Sequence, residues 1–588
     1  MERRWVVKNK GDTEIVAELS RALNISSLLA SLLVHREVSS FGEAKDFFRP
    51  KLLQLHDPFL MKDMDIAVER IEMAIRDREK ILVYGDYDVD GTTAVALVYT
   101  FLKSIYKEVG FYIPDRYSEG YGISKAGVDY AEENDFSLVI ALDCGIKAVD
   151  NIAYAAEKNI EFIIVDHHRP GDELPPAYAI LDPKRLDCDY PYKELSGCGL
   201  GFKLVQAFSQ KNNLPFKRLE KLLDLVVVSI ASDIVPISGE NRILAYYGLK
   251  VLNSNPRPGF IAILNYSNIK KKADFQYLED DFVFNRKLGI SDLVFLIGPR
   301  INAAGRMESG NNSVELLISK NIEDALEKAV QINQFNTERR NLDMQITQHA
   351  LELIANDPDH PNQKSTIVYH PEWHKGVLGI VASRMTENYY RPTIVLTQSN
   401  GFITGSARSV KDFDVYNAID QCCDLLEHFG GHKYAAGMSI RPENFEAFKK
   451  RFEDYVSDTI EDKMLIPEIA IDAKIKLNNI STKFYRILKQ FAPFGPENMA
   501  PIFMTEGVVD TGYACIVGKN HLKLSVTHPD ISGFPVAGIA FQQGDKLPIV
   551  QSGKPFSICY HIEENEWNGH VSLQLNIKDI KPIEEEEY

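Results

Sequence analysis

Paired cysteines are the first thing this sequence lacks. Its seven cysteines, Cys144, Cys188, Cys198, Cys422, Cys423, Cys515 and Cys559, include no Cys-x-x-Cys. An odd count without zinc-type spacing argues against both a disulfide framework and a zinc ribbon. Buried or half-buried thiols are expected at all seven positions. Long apolar runs are also missing. The longest, around residues 225–231 (LVVVSIA), is far too short to span a bilayer. The opening MERRWVVKNKGD contains nothing long and apolar enough for a signal peptide. The expectation is a cytoplasmic protein with no membrane partner. Excess positive charge is absent too. The net charge is −17, which on its face disfavours a nucleic-acid partner. Net charge is a sum, however, and binding is local. Part of the excess lies in Glu584–Glu587, read as a solvated tail, and part in acids that bound cations would neutralise. No internal repeat is found.

What is present is length. At 588 residues, with 45% hydrophobic and 25% charged residues, the composition is that of a soluble globular protein with room for three or four domains. Residues 1–60 read as a helical lead-in. SSLLASLLVHR has helical spacing, and SSFGEAKDFFRP has a Ser start and a Pro stop. From 61 to 320, short β-like runs (ILVY, FYIP, LVIALD, FIIVD) alternate with helical stretches, the rhythm of a parallel sheet flanked by helices. Residues 321–358 carry a Gly- and Pro-free stretch to about 356. As one helix it would run roughly 50 Å, a plausible strut between lobes. A second α/β unit is expected over 359–462, with STIVYH and PTIVLT as strands and a Gly-rich end. The pattern over 463–588 is mostly short β segments, suggesting a small barrel of the OB-fold type.

Residues 86–91 read Asp-Tyr-Asp-Val-Asp-Gly, and Asp166-His167-His168 follows downstream. In an extended loop Asp86, Asp88 and Asp90 point to one side. Three crowded carboxylates repel one another unless a cation sits between them. A hard divalent metal bound through oxygen, with the odd imidazole, fits best. A calcium EF-hand is excluded twice. Its twelfth position requires Glu and here is Leu97, and a β-rich run precedes the loop where a helix is needed.

Asp86, Asp143 and Asp166 each lie at the carboxyl end of an expected strand, where ligands bind in such sheets, and Asp233 follows another apolar run. A lone Asp in such a place is more often a helix cap; the recurrence is what suggests a site. Asp88, Asp90, Asp143, His167 and Asp233, with Asp86 close by, would suit two Mn²⁺ or Mg²⁺ ions about 3.5–4 Å apart. Such a pair activates a water and clamps the oxygens of an in-line phosphoryl displacement. Adjacent side chains of a strand-like segment point opposite ways, so His168 is expected to support the site or contact phosphate rather than share an ion with His167.

A second group is basic and Gly-rich. GPRINAAGR carries Arg300 and Arg306, GSARS carries Ser406, Arg408 and Ser409, and GGHKYAAG carries His432 and Lys433. Glycine lets backbone approach a phosphate and Arg grips it bidentately, although each stretch alone reads as a tight turn with a surface Arg. In the expected barrel, Tyr485, Arg486, Lys489, Phe491 and Phe494 interleave bases with aromatics, and Lys519, His521 and Lys523 lie further on. Such stretches can stack single strands, but each aromatic taken singly reads as core.

GDYDVDG, LDCG, VDHH and ASDIVP, in this order and spacing, resemble the four motifs of the DHH phosphoesterase family. EWHKGVLGIVASRM, GSARS and GGHKYAAG resemble its associated DHHA1-type domain. GPRINAAGR and the terminal barrel narrow the resemblance to the branch of bacterial single-strand-specific DNA exonucleases. It covers nearly the whole chain from about residue 65.

The resemblance implies an α/β multidomain fold: a DHH-type sheet domain, a connecting helix, a DHHA1-type domain and an OB-fold. It also implies a 5′-to-3′ exonuclease of DNA repair and recombination that uses Mn²⁺ or Mg²⁺ and releases 5′-mononucleotides. Asp88, Asp90, Asp143, His167 and Asp233 would be metal ligands, supported by Asp86 and His168. Ser406, Arg408 and His432, with Arg306, would hold DNA phosphates. Some relatives place His four residues before the loop's second Asp; here that residue is Tyr84. A single-strand-binding protein and a helicase are implied partners. A phosphodiesterase of short oligonucleotides or cyclic dinucleotides could use the same metal core, but such small substrates need no remote barrel. An inactive DNA-binding scaffold of this fold would need no repulsive acid cluster.

Overall fold

Five apolar runs between residues 80 and 181 become five parallel strands: β1 (Lys80–Gly85), β2 (Val109–Tyr112), β3 (Phe136–Leu142), β4 (Glu161–Val165) and β5 (Ala179–Leu181). Their spatial order is β2-β1-β3-β4-β5. The central strands are almost wholly buried, as strands covered by helices on both faces must be. From β1 the chain goes to β2 on one side and then to β3 on the other. The switch point therefore lies at the carboxyl ends of β1 and β3, where open parallel sheets bind ligands. Asp86 and Asp143 are the first residues past those two ends.

This computed structural model describes residues 2–272, 282–529, 535–567 and 570–583. The acidic run Glu584–Glu587, expected as a solvated tail, lies outside the described residues. The chain forms two compact units, one of residues 51–465 and one of residues 1–50 with 466–588. No single helix among the described residues is long and apolar enough to cross a membrane.

In the first unit, α1 (Val89–Lys103) and α2 (Gly197–Lys211) pack on the sheet, α3 (Leu223–Ser232) packs against both of them, and Leu97 is buried in their shared core. α4 (Gly298–Met307) follows the same core. The long Gly- and Pro-free stretch is a single helix, α5 (Ile322–Ala355). Its first half buries Ala325, Ala329 and Ile332 in the core of the parallel sheet. Its second half buries Ile346, Ala350 and Ile354 against Val368 and Leu378 of the next domain. The helix thus works as a strut. That next domain has strands β6 (Thr366–Tyr369), β7 (Thr393–Ser399), β8 (Phe402–Arg408), β9 (Leu426–His432) and β10 (Ala435–Ile440), ordered β9-β10-β8-β7-β6, with helix α6 (Leu378–Tyr389) against β7 and β8.

In the second unit, strands Phe503–Asp510, Phe556–Trp567, His570–Pro582, Val536–Ala540 and His521–Thr527 pair in that order, and the last pairs back with the first. The sheet closes on itself as a five-stranded barrel of the OB type. Of residues 1–60, expected as a helical lead-in, the first fifty belong to this unit and supply the helices Thr13–Leu23, Ser27–Val34 and Phe41–Phe48, and also a strand, Arg4–Val7. Ser40 caps the third helix in a reciprocal capping box with Glu43. The strand pairs in parallel with Glu468–Ile471. Leu29, Leu32 and Leu33 share one apolar core with Phe491, Phe503 and Tyr560.

The cysteine expectation needs one correction. Five are buried, but Cys423 and Cys515 are exposed, because each stands where its segment faces solvent. Shared burial of the N-terminal helices and the barrel sets an expectation. Leu33→Ala should lower the unfolding free energy of this unit by about 2–5 kcal/mol, read by denaturant titration. An unchanged midpoint would mean that these helices do not belong to the barrel's core.

Candidate metal centre

The Asp-Tyr-Asp-Val-Asp loop is not uniformly extended. Asp88 is the N-cap of α1, and its Oδ1 accepts hydrogen bonds from Asp90 N at 2.8 Å and Gly91 N at 3.1 Å. Asp90 lies in the first turn of that helix. The alternation assumed for an extended chain therefore stops at Asp88, and the triplet divides. Asp86, Asp88 and Asp143 form one group, Asp90, His167 and Asp233 a second, and Asp143, His167 and His168 a third. Each offers ligand atoms within 4.8 Å of one another. Asp143 and His167 belong to these groups because β3 and β4 are neighbours in register. Two glycines allow the crowding. A Cβ on Gly91 would sit 2.4 Å from the Asp86 carbonyl oxygen, and one on Gly197 would sit 2.6 Å from Asp143 Cβ.

Asp90 is the most firmly held of the acids. Its carboxylate accepts from Gly197 N at 2.6 Å and Cys198 N at 2.8 Å, at the start of α2, and from Ser229 Oγ at 2.7 Å on α3. Asp233 follows α3 as its C-cap, so it stands at a helix end and not at a strand end as its apolar approach suggested. LVVVSIA reads equally well as a buried strand or a buried helix, and all seven of its residues lie within the ten-residue helix α3. His167 Nε2 lies 3.1 Å from Asp143 Oδ1 and 3.7 Å from both Asp90 Oδ2 and Asp233 Oδ2.

The separation expected of the two histidines does not hold. β4 ends at Val165, so the strand alternation no longer applies, and both rings approach Asp143. Asp166, which falls outside the expected ligand set, organises them. Its Oδ1 accepts from His167 N, His168 N and His168 Nδ1 (2.7 Å), and its Oδ2 accepts from Ile146 N. Burial raises the Asp166 carboxyl, but these bonds and the His168 charge outweigh it and hold the group at about 2. Burial likewise lowers His168, and its bond to Asp166 outweighs that and pushes it up to about 9. Tyr121 Oη lies 3.2 Å from His168 Nε2. Tyr84 stays out of the cluster. Its hydroxyl donates to Gly122 O and accepts from Ser124 N inside the core.

A divalent cation fits this donor set. Asp86 Oδ1, Asp143 Oδ1 and both ring nitrogens of His167 are buried without hydrogen-bond partners. Desolvation first, then mutual repulsion, pushes Asp86, Asp88 and Asp143 upward and raises Asp233 to about 9. Carboxylate oxygens with one or two imidazoles suit Mn²⁺ or Mg²⁺.

Of the basic candidates, Arg306, Ser406 and Arg408 line one cavity of about 650 Å³. His432 does not line it. That residue ends β9 on the surface, and its Nδ1 accepts from Tyr434 N. Arg306 lies in α4, so GPRINAAGR is helical and not a tight turn. Arg300 is committed to structure, donating to Leu296 O at 2.7 Å. Arg408 Nη1 donates to Ser406 Oγ at 2.8 Å. Arg116, Lys375 and His428 also line the cavity and were not singled out from sequence. The signal for Arg116 was its place just past β2. Burial and the charges of Arg116, Arg339 and Arg408 push Arg306 down to about 10, a measure of how densely cations crowd here. Arg116 lies over the ring of Tyr87, 4.9 Å from its centroid. Tyr87 stands between Asp86 and Asp88, so Arg116 of the cavity rests on the loop that carries these carboxylates.

In the barrel unit, Phe491 is core, Tyr485 and Phe494 pack against that core, and Lys489 pairs with Glu564. The exposed aromatics beside Lys519, His521 and Lys523 are others, Tyr513 and Phe541, the latter edge-on to His521.

Three family models match the chain: the DHH family, N-terminal domain, over residues 80–230, the DHHA1 domain over 362–458 and the RecJ OB domain over 471–579. The chain is 34% identical over 579 residues to the single-stranded-DNA-specific exonuclease RecJ of Bacillus subtilis (strain 168), covering 98% of this chain and 70% of that protein. It is 32% identical to that of Escherichia coli (strain K12), covering 89% and 91%. The crystal structure of RecJ from Thermus thermophilus in complex with Mn²⁺ superposes with a TM-score of 0.82 at 26% identity, covering 99% of this chain and 80% of that one. The Mg²⁺ complex gives 0.76 at 25% identity, covering 99% and 79%. With three domains in the same order, identity running nearly end to end and a carboxylate cluster suited to the same cations, the chain belongs to the RecJ family of single-stranded-DNA-specific exonucleases.

Proposed function

We propose that the chain, a metal-dependent single-stranded-DNA exonuclease by its family, works from the 5′ end with two divalent cations and releases 5′-mononucleotides in DNA repair and recombination. One observation carries the polarity: a cavity crowded with guanidinium groups stands beside the carboxylate cluster, with Tyr87 and Arg116 between them. A dianionic terminal phosphate is the group such a cavity suits. Asp88, Asp90, Asp143, His167 and Asp233, with Asp86, are the proposed ligands, and cations held there would acidify a water and neutralise the phosphoryl oxygens.

The side chains divide the remaining work. Arg306, Arg408, Ser406 and Arg116 grip the terminal phosphate and set where the strand stops. His168, protonated and oriented by Asp166, offers its Nε2 proton to a phosphoryl oxygen. The three donors to Asp90 keep its carboxylate from turning as charge develops. In the barrel, Lys519, His521 and Lys523 with Tyr513 and Phe541 supply a single-strand surface of bases and aromatics. The proposed functional segments are 61–320 for catalysis, 321–358 for the strut, 359–462 for the phosphate-binding domain and 463–588 for the barrel, with 1–60 as lead-in. A single-strand-binding protein and a helicase are the partners this reading implies, and the cytoplasm its location.

Asp143→Ala should abolish Mn²⁺-dependent release of mononucleotides from single-stranded DNA; surviving activity would remove Asp143 from the metal centre. Arg408→Ala should cost about 10- to 100-fold in kcat/KM on 5′-phosphorylated strands, the size expected for loss of a charged hydrogen-bonded contact, and far less on 5′-hydroxyl strands. An equal loss on both would leave the terminal phosphate without a receptor here. The raised carboxyls add a pH signature. Between about pH 4 and about 9 the Asp233 carboxyl holds its proton in the metal-free folded state and not in the unfolded chain, so its contribution to stability falls as pH rises through that window. Mg²⁺ relieves the repulsion, and the Mg²⁺-induced rise in Tm should therefore grow from about pH 5 to about pH 8.5. A shift that shrinks over that range contradicts the assignment.

A further inference from the structure

A second cavity, of about 310 Å³, shares Asp166 and His168 with the metal centre and shares no lining residue with the arginine-lined cavity. Its walls come from the loop after β2, the loop after β3 and the end of β4. Tyr121, Ile123 and Ile146 give it aromatic and aliphatic faces, and Lys147 and Asn151 add polar groups. Asn151 Nδ2 is committed to Ile123 O at 2.6 Å, which leaves its carbonyl oxygen to offer a ligand. Backbone conformation keeps the space open. Gly122 and Gly145 hold φ of +83° and +110°, and a Cβ on Gly145 would meet Ile123 Cδ1 at 2.8 Å. Its size is at the low end for small-molecule sites, and apolar walls with a few convergent polar groups are what such sites have.

The two cavities differ in chemistry and are linked through the metal loop. Tyr87, between Asp86 and Asp88, carries Arg116 of the first cavity over its ring and meets Tyr121 of the second edge-on, with ring centroids 6.5 Å apart. A phosphodiester cut at the carboxylates has a nucleotide on each side. The cationic cavity suits the phosphate of the terminal nucleotide. The aromatic and aliphatic one suits a base.

We propose that the cavity of Tyr121, Ile123, Ile146 and Asn151 takes the nucleobase of the second nucleotide from the 5′ end, the one whose 5′-phosphate is the scissile group. This rests on the 5′-end reading given above. The chain would then recognise two consecutive nucleotides around each cut. Its preference would be for any flat base and not for one sequence, since stacking is sequence-tolerant.

The test uses the full chain with Mn²⁺ and 5′-phosphorylated single strands that carry one abasic residue. The first cut should be slowed about tenfold by an abasic site at the second nucleotide and unaffected by one at the sixth. Equal rates for the two substrates overturn the proposal without any variant. Ala148→Trp, which fills the same cavity, should raise KM for single-stranded DNA by about tenfold, keep the Mn²⁺-induced rise in Tm and lose sensitivity to the abasic second nucleotide. A variant that keeps the wild-type sensitivity also overturns the assignment. Slowing only by an abasic residue next to the 3′ end would instead overturn the 5′-end reading, an outcome distinct from a flat response.

Discussion

Carboxylate crowding at one edge of a parallel sheet is the constraint on which the rest of this protein depends. Two unit charges 4 Å apart in a protein-like medium repel by about 4 kcal/mol, and here five aspartates meet within a few side-chain lengths. Cations offset that repulsion only if the oxygens are already in place, and the surroundings hold them there. Asp90 is fixed by the first amides of α2 and a serine of α3, Asp88 by its own helix start, and the histidine pair by Asp166. Gly91 and Gly197 are the glycines that such close approach demands. Stability is spent locally so that the site is assembled before any substrate arrives.

The strut α5 connects this edge to the second domain. Its two ends are buried in different cores, and Asp343, buried on the helix, takes a two-pronged contact from Arg384 of α6 at 2.8 and 2.7 Å. That link fixes the second domain against the sheet domain within one unit. Only then do Arg116 and Arg306 from one side and Ser406 and Arg408 from the other line a single cavity. No one of these arginines makes a cationic cavity alone. Their convergence does, because each guanidinium raises the local potential that the others present to an anion.

The barrel unit answers a different physical need. Five strands that close on themselves leave few open edges, but a barrel this small has limited core of its own. The first fifty residues add three helices and a strand to it. The lead-in is therefore part of the barrel's stability, although its sequence reads only as amphipathic helix. Its partners lie more than four hundred residues away, and periodicity carries no information about partners at that distance.

The sequence by itself determined the elements and the chemistry. The alternation of apolar runs, the acids past strand ends, the Gly- and Pro-free strut and the spacing of short β segments all follow local rules of periodicity, capping and turn preference, and Leu97 together with the β-rich run before the loop removed the calcium reading. The tertiary structure decided geometry. It put Asp88 at a helix cap, Asp233 at a helix end, both histidines on one side and Asp166 behind them. It gathered Arg116 and Lys375 into the arginine-lined cavity, left His432 on the surface, and buried Phe491 while leaving Tyr485 and Phe494 half-buried and Tyr513 and Phe541 exposed. The reason is that residue type and spacing set what a segment can become, whereas which side chains meet depends on strand order, on where each strand or helix stops, and on packing between segments far apart in the chain.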